Sequence, residues 1–255
     1  MTEPPEPQPP VVLDPEPVVD EGGMSMTLIE HLGELRRRLI WIVATVLLGA
    51  VIGFWLSTGV LQLLVDLLPP EYRTLYFTSP AGAFAAQLKI AGFTGLAIAM
   101  PVLLFHAYRF ITPGLTKREK RFVWPGLLAA VALFVGGILL GYFVLPFMLR
   151  FLIEIAPPDL TSPLFTIDEY IGFVTTTLLA FGLVLEFPII LIVLARVGIL
   201  SHAFLARRRR WALLVIVLTA IVLTPGSDPI SPTIMALVMY VLFEGSLLLI
   251  RRFRA

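Results

Sequence analysis

The sequence predicts an all-α, polytopic integral membrane protein with six transmembrane helices, both termini on the cytoplasmic side and the last two helices short. Three observations lead there. Of 255 residues, 58% are hydrophobic and 15% charged, with mean hydropathy +0.91, against ~45–50% apolar and ~25% charged for a soluble domain. Apolar runs recur at lengths that match a hydrocarbon core of ~30 Å, which a helix crosses in about 20 residues. Sixteen of the 19 Lys and Arg residues fall in alternate connections, all on one face, which is the charge asymmetry of cytoplasmic loops. These features exclude a water-soluble globule and a nucleic-acid binder. With no cysteine, disulfides, thiolate metal sites and cysteine nucleophiles are excluded too.

Residues 1–23 form a tail with seven prolines, six acids and no basic residue. Such a stretch buries no core and is expected to be disordered. Lacking an early basic residue, it reads as neither a secretory signal nor a transit peptide. Residues 24–255 form the transmembrane domain, opening on an amphipathic interfacial helix. Thr27 to Glu30 reads as a capping box, and Met26, Ile29, Leu32, Leu35 and Leu39 follow at helical spacing. Glu30, Glu34, Arg37 and Arg38 take the polar side, where Glu34 and Arg38 at i and i+4 form an ion pair worth about 0.2–0.5 kcal/mol.

The apolar runs are Leu39–Ser57, Phe84–Tyr108, Phe122–Leu149, Tyr170–Ala195, Trp211–Leu223 and Thr233–Ile250. The last two are short, the fifth only ~20 Å. Either they form a re-entrant hairpin or they span where the membrane is locally thinned, and basic residues before and after them favour two short spans. Arg36–Arg38 precede the first run, and Arg109, Lys117, Arg118, Lys120 and Arg121 follow the second. Arg196 and Arg207–Arg210 follow the fourth, while Arg251, Arg252 and Arg254 close the chain. Arg73, Lys89 and Arg150 alone fall on the other face.

A few acids depart from this pattern. Glu119 stands among the five basic residues between the second and third runs, behind a Pro113-Gly114 turn. Glu186 lies in an otherwise uncharged stretch from Phe181 to Leu194, where an acid costs at least ~2.5 kcal/mol and usually faces protein or a watery cavity. Glu244, seven residues from Arg251, is expected at the interface and paired. Gly49-x-x-x-Gly53 and Gly137-x-x-x-Gly141 permit close helix contact. His31, His106 and His202 have no metal-ligand spacing, and there is no Walker loop, H-E-x-x-H or G-x-S-x-G string, so neither a cofactor nor an enzymatic activity is expected.

Five strings occur together in order. They are His31 to Arg38 (HLGELRRR), the F-x-x-P-x-L-x-x-x-E pattern from Phe110 to Glu119, Glu186-Phe187-Pro188, Thr224-Pro225 ahead of Asp228, and Tyr240 to Glu244 (YVLFE). From about residue 24 to 250 the chain resembles the TatC family, the multispanning signal receptor of the twin-arginine translocase. The resemblance implies a bacterial plasma-membrane protein, with the proton-motive force driving export of folded proteins. It implies that twin-arginine signal peptides bind at the cytoplasmic face, with TatA- and TatB-type single-span subunits as partners, and self-association. Glu34 and Glu119 match the family's signal-binding acids, with Arg36, Phe110 and Leu115 flanking them. Carboxylates suit that role, because a guanidinium fork meets one through two parallel hydrogen bonds. Glu186 matches a polar intramembrane position for signal insertion or partner docking, and Thr224 and Asp228 match an extracytoplasmic turn. Two residues, Gly226 and Ser227, separate Pro225 from Asp228 where many members have one, and Pro232 stands where Gln is common. A proton-coupled transporter of a small solute, relayed by Glu186, is the alternative. It lacks an internal repeat and paired interrupted spans.

Overall fold

The computed structural model describes residues 28–111, 123–157, 163–196, 198–226 and 228–254. The acidic tail and the cap residue Thr27 lie outside them. Among the described residues the chain is all helical apart from one isolated bridge. Five helical segments are long and apolar enough to cross a membrane: Leu32–Trp55, Pro80–Phe110, Trp124–Glu154, Ile167–Arg196 and Ile230–Arg252.

Helix α1 (Leu28–Trp55) runs 28 residues without a break. The amphipathic segment expected to lie on the membrane surface is continuous with the first span. Arg36, Arg37 and Arg38 are good helix formers, and no Gly or Pro stands between Glu34 and Leu39 to end the helix. α1 packs chiefly on α3 (Pro80–Ile111), and the packing depends on small residues. A Cβ at Gly49 would lie 2.7 Å from the Gly95 carbonyl oxygen, and one at Gly53 would lie 2.8 Å from that of Ala91. Lipid gives two apolar helices no hydrophobic reason to associate, so this backbone-to-backbone approach supplies the attraction through dispersion. The second glycine pair also permits close contact. Gly137 on α4 (Val123–Glu154) meets the backbone of Phe181 and Gly182 on α5 (Ile167–Val184), while Gly141 makes room for the Phe181 and Leu178 side chains.

α5 stops at Val184, and α6 (Phe187–Arg196) resumes after a turn at Leu185 and Glu186. The sequence reading had one uninterrupted run here. Pro188 explains the break: it has no N–H for the Val184 carbonyl, and its ring crowds that turn. A short α7 (His202–Arg207) leads into α8 (Arg209–Leu223) and α9 (Ile230–Arg254). α8 has 15 residues, about 22 Å at 1.5 Å per residue, and so falls short of the ~30 Å core as expected. α9 does not. The helix runs 25 residues, because Ile230 to Pro232 and the segment from Arg251 to Arg254 add helical residues at the two ends of the apolar run. Counting α8 as a sixth crossing returns the chain to the side on which α1 begins.

Three apolar clusters hold the helices together. Val144, Phe181, Ile216, Met239 and Phe243 join α4, α5, α8 and α9. Met100, Leu104, Leu127 and Phe134 join α3 and α4. Toward the pole opposite the basic residues, Leu64, Ile90, Leu145 and Ile171 tie α2 (Ser57–Val65) to α3, α4 and α5. This pole carries a cap. Tyr76 pairs in parallel with Thr166, donating to the Phe165 carbonyl at 3.0 Å and accepting from Ile167 at 2.8 Å. Lys89 enters an ion pair with Asp168 at 2.7 Å, and the buried Tyr170 hydroxyl donates to the Leu64 carbonyl at 2.7 Å. Tyr170→Phe is expected to remove that bond and cost about 0.5–1.5 kcal/mol, the carbonyl keeping the Leu67 N–H at 3.3 Å. A thermal midpoint in detergent equal to that of wild type would refute this.

Candidate functional site at the basic pole

The basic pole gathers the start of α1 and the end of α3. Glu34 sits near the start of α1, half-buried, one turn before Arg38. Arg38 is 8% exposed, whereas Arg36 and Arg37 are exposed. The Arg38 Nη2 donates to Glu34 Oε1, and its Nη1 donates at 3.0 Å to the backbone carbonyl of His106 on α3. The pair expected on the surface is thus largely sheltered and bridges two helices. Phe110, half-buried, follows His106 by one turn, so Arg38 ties the turn carrying Glu34 to the helix end carrying Phe110. The Phe105 ring, edge-on to His106 at 5.6 Å and 6.3 Å from Trp124, adds an aromatic wall. Glu119 and Leu115 lie outside the described residues.

Chemically, this arrangement is an acid oriented within a cationic surface. Arg36, Arg37 and Arg109 are exposed here and repel cations in general, so an approaching cation gains only where it makes directional hydrogen bonds to a carboxylate.

Glu186 belongs to a different place. It is 5% exposed at the α5–α6 turn, ten residues before Arg196, and so lies in the membrane half nearer the basic pole. Its backbone continues the chain of helical bonds, donating to Leu183 and accepting from Ile190, each at 3.1 Å. Its Oε1 has no hydrogen-bond partner among the described residues. Tyr108 of α3 is within electrostatic range.

Thr224 and Asp228 occupy the turn between α8 and α9 at the opposite pole, and both are buried. The Thr224 hydroxyl donates to the Ala220 carbonyl at 2.7 Å, and Asp228 Oδ1 accepts from the Ser231 backbone N–H at 2.7 Å. Asp228 therefore satisfies one of the orphan donors in the first turn of α9. The structure does not bring this turn together with Glu34, Arg36 or Phe110. Glu244 is paired as expected, but with Arg209 of α8 at 3.1 Å and with the Tyr240 hydroxyl at 3.3 Å. Among the described residues, no group of three His, Cys, Asp or Glu side chains is placed to hold a metal ion.

Two contacts escaped the sequence reading. The i, i+4 spacing predicts the Glu34–Arg38 pair, but nothing local predicts that Arg38 also reaches the His106 carbonyl. Arg209 lies 35 positions from Glu244, and no local pattern links them.

The chain matches the family model for the Sec-independent protein translocase protein (TatC) over residues 30–237. It is 37% identical to the Sec-independent protein translocase protein TatC of Carboxydothermus hydrogenoformans over 223 residues, covering 87% of this chain and 91% of the relative. It is also 37% identical to the TatC of Deinococcus radiodurans over 239 residues, covering 90% and 87% of the two chains. Its fold superposes on a crystal structure of the twin-arginine translocase receptor TatC in DDM with TM-score 0.75 and 35% identity, covering 86% of this chain and 99% of the other. A multispanning all-helical frame, the match over most of the chain and these levels of identity agree: the chain belongs to the TatC family, as a non-enzymatic component of the twin-arginine protein translocase.

Proposed function

We propose that the basic pole is the docking surface for twin-arginine signal peptides of folded cargo proteins, with Glu34 and Glu119 each receiving a guanidinium. Arg36 flanks the site and discourages other cations, while Phe110 and Leu115 offer an apolar wall to the hydrophobic part of the signal. One observation carries the reading: in the structure the Glu34 carboxylate already accepts a guanidinium hydrogen bond, beside the exposed Arg36 and Arg37. The buried Glu186 then serves signal insertion or the docking of TatA- and TatB-type single-span subunits. The Thr224–Asp228 turn holds the α8–α9 hairpin closed at the far side. In this reading the protein lies in the bacterial plasma membrane, its basic pole in the cytoplasm. It associates with further copies of itself and works on the proton-motive force.

The test is a titration of detergent-solubilised protein with a twin-arginine signal peptide and its Lys-Lys variant. Hydrogen bonds to charged groups contribute about 1.5–3 kcal/mol, so Glu34→Ala or Glu119→Ala is expected to weaken twin-arginine binding about ten- to a hundredfold. Equal affinity for both peptides in wild type and both variants would sink the proposal.

A further inference from the structure

Arg38 is the one cation of the first helix that the pole conceals. At 8% exposure it is withdrawn from solvent while Arg36 and Arg37 remain outside. Its guanidinium is held at two points on two helices, Glu34 Oε1 on α1 and the His106 carbonyl on α3. A cation anchored in this way does not behave as an exchangeable counter-ion. Swinging it out would break both hydrogen bonds of a buried guanidinium, which is strongly unfavourable. The chemistry of the side chain also matters. A guanidinium presents five donors in a rigid plane and satisfies both anchors at once, whereas an ammonium is a compact point charge.

We propose that Arg38 is a positioning and specificity residue of the signal site: it pins the Glu34 carboxylate by one oxygen and so makes the receptor select an incoming arginine over a lysine. The inference rests on the reading of Glu34 as a signal-binding acid. Two effects produce the selection. Pinning removes the rotamer freedom that a glutamate near a helix start would otherwise lose on binding. The Arg38 charge also offsets that of Glu34, so a bare point charge gains little from the pair. A planar guanidinium still gains, because a carboxylate has about four lone-pair positions and accepts directional bonds from more than one donor group.

The test compares wild type, Arg38→Lys, Arg38→Gln and Glu34→Ala, each titrated with Arg-Arg and Lys-Lys signal peptides in detergent. Arg38→Lys is expected to weaken Arg-Arg binding about tenfold, the loss of one charge-assisted hydrogen bond, with Lys-Lys binding changed by less than about twofold. Arg38→Gln removes the offsetting charge, so Lys-Lys binding rises, Arg-Arg binding falls and their ratio moves toward one. A purely structural role would lower both affinities in parallel and leave the ratio intact; that result in either variant overturns the proposal. Thermal unfolding in the same detergent identifies a variant that fails to fold. Should Arg38→Gln be lost in that way, the charge-retaining Arg38→Lys still decides. Wild-type protein that does not distinguish the peptides, or Glu34→Ala that binds like wild type, removes the signal-binding reading and this inference with it. Weakened binding by Glu34→Ala with an unchanged ratio in Arg38→Lys removes only the role given to Arg38.

Discussion

Gly95→Val is expected to separate α1 from α3 and lower stability by about 3 kcal/mol or more. Adding side-chain volume to a packed site typically costs about 1–3 kcal/mol when the neighbours are side chains able to adjust. Here the neighbours are backbone: a Cβ at Gly95 would lie 2.7 Å from the Ala50 Cα and 2.9 Å from the Val46 carbonyl oxygen. Backbone inside a helix yields only if the whole helix moves, and α1 has few other contacts to hold it once displaced. Gly136→Ala provides the contrast. Nothing lies within 4 Å of the site where its Cβ would be built, and Ala is favoured over Gly in a helix interior by about 0.8–1.0 kcal/mol. Thermal unfolding of the two variants in one detergent should therefore shift in opposite directions. Similar midpoints would mean that the glycine contact does not hold these helices together.

Glu186→Lys is expected to lose about 2.5–3.5 kcal/mol relative to Glu186→Gln, the cost of an ammonium at membrane depth. The side chain is 5% exposed and Phe187 and Pro188 follow it directly, so a lysine there has no short path to water. Gln keeps the size and the polar end without the charge, and it is expected to unfold close to wild type. Export of a folded reporter would then separate roles. If Glu186 acts through its carboxylate, Gln lowers export without lowering stability. Loss of stability in Gln equal to that in Lys would show that shape, not charge, is what the site requires.

Much of the fold follows from one-dimensional patterns, because lipid imposes simple demands. Apolar length marked the spans, alternate loop charge ordered them, and the spacing of Gly49 with Gly53 and Gly137 with Gly141 marked the faces that touch. Where the sequence reading failed, the cause was a partner distant in sequence or a local conflict. Pro188 was visible, yet the hydrophobicity around it hid the break between α5 and α6. The residues from Ser57 to Ser79 carry no span, and only the contacts of Leu64 with Tyr170 and of Tyr76 with Thr166 across the fold make them a cap. The site divides in the same way. Glu34, Arg36 and Phe110 were recognisable as a motif, while the burial of Arg38 depends on the end of α3, 68 residues away.

The bridge between Tyr76 and Thr166 sets an order in time as well as in space. Its two edges are 90 residues apart, and synthesis delivers about 5–20 residues per second, N-terminal segments first. For several seconds, then, the nascent chain carries α1, α2 and α3 with the Tyr76 edge open and the Leu64 carbonyl still awaiting Tyr170. The cap closes only once the start of α5 has crossed. Closure therefore comes late in biogenesis: a chain stalled before Thr166 lacks both backbone hydrogen bonds that Tyr76 makes to Phe165 and Ile167 in the completed fold.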